Sequence, residues 1–361
     1  MNLKRKRGLL LLLALLTAVG STALIGLQGR AVPTPYYAVQ LDAAQRMQRC
    51  MDAVKGYKAE LGLAPDPLDL HQTGMIGEEF NFITTTLGEI GAKRTTANAD
   101  MAALVVRMLH EAGIRSGDTV GAGFSGSFPS MNLAVLSACA AMDVRLIYLA
   151  SVGSSTYGAN NPALTFPEMA VRLYEDGLIV GLPARITLGG GSDVGKGMDP
   201  TMLAEIEARL EKLPVALLRE PDYTANLAAR MALYEQNGPI DCFIGVGGNL
   251  TTLGRSDRSY SLGQGLIRTR PDYKISDASG LIERYSAAGL PVIHLLNIKK
   301  LVAEYGLPFD PATLPAPGES AVYETMSFAA GPALAALALI AAFLVSYKIL
   351  GRPPRSKQPV K

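Results

Sequence analysis

Two long uncharged stretches frame the chain, one at residues 8–29 and the other at residues 325–347. Each is long enough to cross a bilayer as a helix. Short basic tails, residues 1–7 and 348–361, flank them, and short basic segments stay on the cytoplasmic side of a membrane. The sequence therefore predicts two membrane anchors, with both termini in the cytoplasm and residues 30–324 outside it.

The first stretch has a second interpretation, since a basic start and a leucine core are also the first parts of a secretory signal. Ser21-Thr22-Ala23 would be its small-residue cleavage site. Leu24 and Ile25 continue the apolar run beyond that site, which favours an anchor that is not cleaved.

Between the anchors, segments with helical spacing alternate with short apolar runs. An amphipathic pattern over 39–61 predicts either a stalk or the first packing helix of a domain. Further helices are predicted at 98–112, 130–143, 167–176, 224–236 and from Asp199-Pro200. The strands are predicted at 118–122, 145–151, 184–188, 215–218, 242–246 and 292–296. Continuously apolar strands that alternate with helices indicate an α/β domain, a mostly parallel sheet with helices on both faces.

Charge separates the tails from the middle of the chain. Nine of the 34 basic residues lie in the tails, which leaves 25 basic against 32 acidic residues between them, a net charge of −7. A domain of that sign does not attract a polyanion diffusely, so nucleic acid is excluded as a partner and any anion site is local. The three cysteines and three histidines show no metal-ligand or disulfide spacing, and the sequence predicts neither a metal nor a cofactor.

Four predicted strands end in loops of small residues, at 123–127, 151–155, 189–193 and 245–249. Strand ends of a parallel sheet share one edge, where glycines let a ligand approach and helix amides can hold an anion. The alternative is that such turns are commonly rich in glycine and serine, with a serine capping the next helix. None of the loops shows a known nucleotide fingerprint. The ligand-binding residues predicted here are Ser125, Gly126, Ser127, Ser154, Ser155, Gly189, Gly190, Gly191, Asp193, Lys196, Gly247, Gly248 and Asn249.

The first loop also resembles a nucleophile elbow, in which Ser125 would attack a carbonyl. A serine nucleophile needs a base. His294 is the first candidate, with Asp193 or Asp241 to orient it, and Lys93 is the second. A histidine inside the apolar run VIHLL is otherwise a core residue.

Hydroxyl and cationic side chains cluster ahead of the first helix of the sheet. Thr85, Thr86, Lys93 and Arg94 could form a clamp for a carboxylate or phosphate, or simply an exposed polar loop. Farther along, the polar segment 251–277 predicts a long loop beside the site.

Taken together, these motifs resemble the poly-gamma-glutamate system protein family of bacteria. The likeness rests on TGMIGEEFNFITTTLGEIGAKRTTANADMAALVVRML and GDTVGAGFSGSFPSMNLAV, and on the later runs SVGSSTYGANNP, LGGGSDVGKGM and IGVGGNLTTLG. It covers nearly the whole chain between the anchors.

The resemblance implies a role in the cytoplasmic membrane, beside the synthetase subunits that polymerise glutamate through its side-chain carboxyl group and export the chain. It assigns no catalytic residues. We expect an accessory protein that binds the anionic polymer, or another carboxylate ligand, at the glycine-loop edge. The alternative is an anchored serine hydrolase or transpeptidase that trims, releases or attaches the polymer. A domain outside the cytoplasm meets no ATP, which argues against a kinase or a ligase.

Overall fold

The computed structural model describes residues 3–256, 258, 261–268 and 274–351. The helices are α1 (Leu3–Leu27), α2 (Tyr37–Glu60), α3 (Ile90–Thr96), α4 (Asp100–Ala112), α5 (Pro129–Ala141), α6 (Phe166–Glu175), α7 (Pro200–Leu210), α8 (Tyr223–Tyr234), α9 (Leu250–Leu253), α10 (Leu281–Ala288), α11 (Ile298–Tyr305) and α12 (Ala330–Leu350). The strands are β1 (Arg30–Pro33), β2 (Thr84–Thr86), β3 (Thr119–Phe124), β4 (Arg145–Ser151), β5 (Ser154–Ser155), β6 (Arg185–Thr187), β7 (Cys242–Val246), β8 (Gly265–Ile267), β9 (Val292–Leu295) and β10 (Glu324–Ser327).

The two ends of the chain form one compact unit, and residues 36–323 form another. In the terminal unit β1 and β10 pair antiparallel, with Arg30 opposite Ser327. The helices α1 and α12 pack along each other, and the Arg7 guanidinium lies 4.2 Å from the centre of the Tyr347 ring. The basic ends of the two apolar helices therefore lie at the same end of the pair.

Both terminal helices are long and apolar enough to cross a membrane, judged by length and composition alone. They contain 25 and 21 residues, with mean hydropathies of 2.3 and 2.2 in their most apolar windows. Helix α1 already begins at Leu3, ahead of the predicted residue 8. Helix α12 begins at Ala330 rather than at residue 325, because residues 324–327 pair with β1 as a strand.

Residues 36–323 form the predicted α/β unit around a six-stranded sheet of order β6-β4-β3-β7-β9-β8. Five strands are parallel, and β8 pairs antiparallel with β9 at one edge. The prediction of a mostly parallel sheet is thus confirmed.

Helices cover both faces of the sheet. Alternate residues of its strands pack in two different hydrophobic cores, one on each face. Ala122 and Tyr148 pack in the core that contains α2, α4 and α5, whereas Leu149 and Phe243 pack in the core of α8 and α10. Burial on both faces explains why the central positions of β3, β4, β7 and β9 are mostly apolar without alternation.

Helix α2 is a packing helix of this unit and not a stalk. Met47, Cys50 and Val54 are buried against α4 and α5. The strand predicted at 215–218 was wrong, because Leu217 makes only an isolated bridge to Ile186. The strand β8 was also missed, since it lies within the polar segment read as loop.

Candidate functional site

A cleft of about 1330 Å³ opens at the carboxyl ends of the parallel strands. Across the sheet the parallel strands stand in the order β6-β4-β3-β7-β9. The chain runs from β3 outwards through β4 to β6 on one side and through β7 to β9 on the other, so the direction of winding reverses between β3 and β7. Ligands of open α/β sheets bind outside the strand ends at such a reversal point. The fold alone therefore marks this cleft as the candidate site.

Most of the predicted ligand-binding residues line this one cleft. They are Thr85, Thr86, Lys93, Ser125, Ser127, Ser155, Gly189, Gly190, Gly191, Lys196, Gly248 and Asn249. They come from the segments after β3, β4, β6 and β7 and from the segment 85–93. The shared edge of the sheet is what brings these segments together.

Other predicted residues do not line the cleft. Arg94 instead holds Asp310 through two hydrogen bonds, of 2.7 and 2.5 Å. Ser154 lies beneath the surface and donates to the Gly126 carbonyl at 3.1 Å. Gly247 is buried, and a Cβ atom added to it would stand 2.9 Å from the Ser125 Cβ.

Several positions in these loops require glycine because the loops pack closely against one another. A Cβ atom on Gly126 would lie 2.6 Å from the Val152 carbonyl oxygen, and one on Gly153 would lie 2.6 Å from the Gly190 nitrogen. Real side chains do not tolerate such distances. These two glycines therefore let three loops nest together, whereas Gly248 and Gly197 have room around them and lie in the cleft wall.

Asp193 supports the loop of residues 189–196 instead of lining the cleft. Its carboxylate receives Arg230 Nη2 at 2.7 Å and Asn226 Nδ2 at 3.0 Å, all in a buried setting. Arg230 also reaches the Thr187 hydroxyl at 3.2 Å, at the end of β6. Nothing in the sequence singled out Arg230, an arginine in the middle of a helix, as the partner of this loop.

The structure does not assemble the triad around Ser125. His294 is buried on β9, two strands away from β3, and strand spacing places such positions roughly 9–10 Å apart. Its Nδ1 lies 2.8 Å from the Gly263 carbonyl oxygen, and burial lowers the pKa of the imidazole. Asp241 accepts from the Thr119 amide at 2.8 Å. His294 is thus placed as a core histidine.

Within the described residues, Ser125 forms hydrogen bonds through its hydroxyl only with neutral groups. Its hydroxyl donates to Ser127 Oγ at 3.0 Å and lies 3.4 Å from the Gly153 carbonyl oxygen. Its own carbonyl oxygen receives Asn132 Nδ2 from α5 at 2.9 Å. The loop is held firmly, but it places no base against this serine.

Lys93 lies in the cleft wall at the centre of a polar cluster. It is only 2% exposed, and its ammonium donates to the Ser127 carbonyl oxygen and, at 2.9 Å, to Ser155 Oγ. The Phe128 ring faces it, with its centre 3.6 Å from Nζ. No carboxylate of the described residues pairs with it, and burial lowers its pKa to about 7.

The charged side chains of the cleft wall are mostly cationic. Lys196, Arg255 and Lys299 are exposed there in addition to the buried Lys93, and Glu89 is the only acidic side chain among the described residues of the wall. Arg255 and Lys299 were missed by the sequence analysis. Arg255 does lie in the segment 251–277, for which the sequence predicted a long loop beside the site. Residues 257, 259–260 and 269–273 of that segment lie outside the described residues.

A glycine spacing of the dinucleotide type also escaped the sequence analysis. Gly121, Gly123 and Gly126 are spaced as G-x-G-x-x-G. In a dinucleotide site the first of these glycines makes the tight turn after the strand. Here Gly121 and Gly123 are paired on both sides within β3, and β4 ends in Ser151 rather than in an acid. The local structure therefore differs from that fingerprint.

Comparisons with known proteins identify no relative, as no family model, curated protein or solved structure matches this chain. Within the described residues there is also no cluster of three histidine, cysteine or acidic side chains that could hold a metal ion. The function is therefore inferred from the cleft itself.

Proposed function

We propose that this protein is a membrane-anchored accessory protein of a bacterial poly-gamma-glutamate synthesis and export system, and that its cleft binds carboxylates of the polymer outside the membrane. The observation that carries the proposal is the charge of the cleft. Among the described residues of its wall, three exposed cations, Lys196, Arg255 and Lys299, accompany a single carboxylate, Glu89, although the chain between the tails carries a net charge of −7. A local cationic site is what such a domain needs to hold an anion.

Individual groups in the wall suit a carboxylate ligand. Lys196, Arg255 and Lys299 are exposed and lie on three different segments, two loops and the first turn of α11, so they can engage successive carboxylates of one chain. The Asn249 side chain, which also lines the cleft, caps α9: its oxygen accepts from the Thr252 amide at 2.8 Å. Its Nδ2 is buried and makes no hydrogen bond within the described residues.

The terminal unit supports the membrane part of the proposal. Both apolar helices have lengths that suit a bilayer, and their basic ends lie together. Basic ends on one side are what the positive-inside rule requires of a hairpin with two cytoplasmic tails. The partners in this arrangement are the membrane and the synthetase subunits within it.

Binding of purified poly-gamma-glutamate to the full chain in detergent tests the proposal. We expect a Lys196→Gln, Arg255→Gln, Lys299→Gln triple variant to bind roughly tenfold more weakly, since exposed ion pairs contribute a few tenths to one kcal/mol each. Lys212→Gln is the control, because Lys212 is also exposed but lies outside the cleft wall. It should bind like the wild type, and added salt should weaken binding to both.

Equal affinity in the triple variant and the control would contradict the cleft as the binding site. No binding by the wild type would contradict the proposed ligand. Purification from membranes of a poly-gamma-glutamate producer adds a check on the partners, since the synthetase subunits should be recovered with the wild type.

A further inference from the structure

Ser155 and Lys93 stand side by side in the cleft wall, and no catalytic role was expected for Ser155. Lys93 Nζ lies 2.9 Å from Ser155 Oγ, within the distance over which a base removes a proton from a nucleophile. Ser125, the serine that the sequence favoured, has only Ser127 and the Gly153 carbonyl oxygen as hydrogen-bond partners of its hydroxyl within the described residues. Of these two serines, the structure therefore gives a base to Ser155.

The surroundings hold the Ser155 hydroxyl in place. Ser155 lies on β5, which pairs with β2 through Thr86, and its amide donates to Ser127 Oγ at 3.0 Å. A Cβ atom added to Gly88 would stand 2.8 Å from Ser155 Oγ and 3.1 Å from Lys93 Cε. The bare glycine thus lets the chain close over this pair.

Lys93 is suited to act as a base rather than as a fixed cation. Its two hydrogen-bond partners are neutral oxygens, and it is buried without a carboxylate among the described residues. An unpaired buried ammonium is costly, so the neutral amine is favoured. A pKa of about 7 leaves a large share of the amine deprotonated near neutral pH, which is the form that accepts a proton.

We propose that Ser155 is an acyl-transfer nucleophile and Lys93 its general base, acting on an amide or ester carbonyl of a substrate in the cleft. That the substrate is an acidic chain rests on the proposed function. The assignment of Ser155 as nucleophile and Lys93 as base does not depend on it. The activity belongs to the hydrolase and transpeptidase class, with Ser155 in place of Ser125.

The reaction balances with water as the second reactant. Ser155 Oγ forms a bond to the carbonyl carbon while its proton passes to the neutral amine of Lys93. The bond from carbon to the leaving amine or alcohol then breaks, and Lys93 returns the proton to that group. Water next attacks the acyl-serine with Lys93 again taking a proton, and Ser155 regains its hydrogen as the acid is released. An amine in place of water gives transfer instead of hydrolysis.

A fluorophosphonate probe tests the pair in the full chain. We expect covalent labelling of the wild type, mapped to Ser155 by mass spectrometry. Labelling should be lost in Ser155→Ala and fall at least about a hundredfold in rate in Lys93→Met, as removal of a general base does. Ser137→Ala is the control, since Ser137 is a buried serine on α5 that lies outside the cleft wall, and it should label like the wild type.

A second experiment keeps the proposal testable if Lys93→Met unfolds. In Ser155→Cys the new thiol would lie beside Lys93, whose ammonium form favours the thiolate. Iodoacetamide should therefore alkylate Ser155→Cys at least about tenfold faster than Ser125→Cys at pH 7. The three native cysteines give little background, because all are buried, and burial raises the pKa of Cys50 to about 11 and that of Cys139 to about 12.

Two results would overturn the inference: labelling that survives in Ser155→Ala, or a folded wild type that the probe does not label while the two cysteine variants react equally. Polymer binding is measured on the same samples. Loss of labelling with normal binding in Ser155→Ala separates the two proposals, since the proposed binding function then stands whatever the chemistry.

Discussion

At the scale of single residues, the central question is why a lysine is buried in a cleft that is proposed to hold anions. Burial lowers the pKa of Lys93, because it removes water and no carboxylate of the described residues pairs with the side chain. The nearby carboxylates do not neutralise the charge of Lys93. Asp310 is paired with Arg94, and Glu89 is exposed at the start of α3. Ser127, Ser155 and the ring of Phe128 face the ammonium directly.

The lowered pKa of Lys93 predicts a pH dependence of folding stability. In the unfolded chain this lysine keeps its ordinary pKa of 10.5, whereas in the folded protein it loses its proton near pH 7. The unfolded state thus binds the extra proton between those values, so the contribution of Lys93 to stability rises with pH in that window. Between pH 7 and pH 8.5 the wild type should gain roughly 1–2 kcal/mol relative to Lys93→Met, measured by unfolding in detergent. A difference that is constant with pH would contradict the burial of a neutral amine.

The sequence identified these residues singly but not their contacts. Lys93, Ser127 and Ser155 were all predicted to bind a ligand, because hydroxyl and cationic side chains near glycine loops suit one. The contact between Lys93 and Ser155 joins positions 62 residues apart through the short ladder of β2 and β5. Neither strand has an apolar pattern that would predict it, so the pairing depends on the tertiary fold.

At the scale of elements, the loop from Gly189 to Lys196 shows how the cleft wall is supported from behind. Ser192 and Asp193 adopt positive φ angles of 55° and 61°, which are unfavourable for residues with side chains. The buried ion pair from Asp193 to Arg230 on α8 holds this conformation. The glycines in the sequence predicted the loop. The sequence did not predict the ion pair from Arg230, because α8 begins about thirty residues later in the chain.

Removal of one partner of this ion pair should be costly. In Asp193→Asn the guanidinium of Arg230 is left buried without its counter-charge, and such a loss typically costs about 3–5 kcal/mol. Chemical unfolding of the full chain measures the effect, and the Asp193→Asn, Arg230→Met double variant should lose less than the single one. A loss below about 1 kcal/mol in Asp193→Asn would show that the pair does not support the loop.

At the scale of the whole molecule, the alternation of apolar runs was enough to predict the sheet, since strands buried on both faces carry an uninterrupted apolar signal. It was not enough to predict β8, whose edge position requires only three residues, Gly265–Ile267, in a polar segment. Nor did it locate the start of α12, because Thr325 and Met326 are uncharged and yet pair with β1.

The proposed arrangement in the membrane predicts where the middle of the chain lies. A periplasmic or surface reporter such as alkaline phosphatase, inserted near residue 200, should be active, and reporters at either terminus should be inactive. Proteolysis of spheroplasts should cleave the middle of the chain while both tails stay protected. Cytosolic behaviour of the insertion near residue 200 would contradict the orientation and reopen nucleotide chemistry at the cleft.

The pairing of β1 with β10 has a consequence for the order in which the protein is made. Arg30 and Ser327 are partners, yet the ribosome makes the whole of residues 36–323 between them. At typical rates of synthesis this interval lasts about 15 to 60 s. During that time β1 lacks its partner β10, so a nascent chain that stalls before Glu324 exposes an open strand edge that can mispair with another copy.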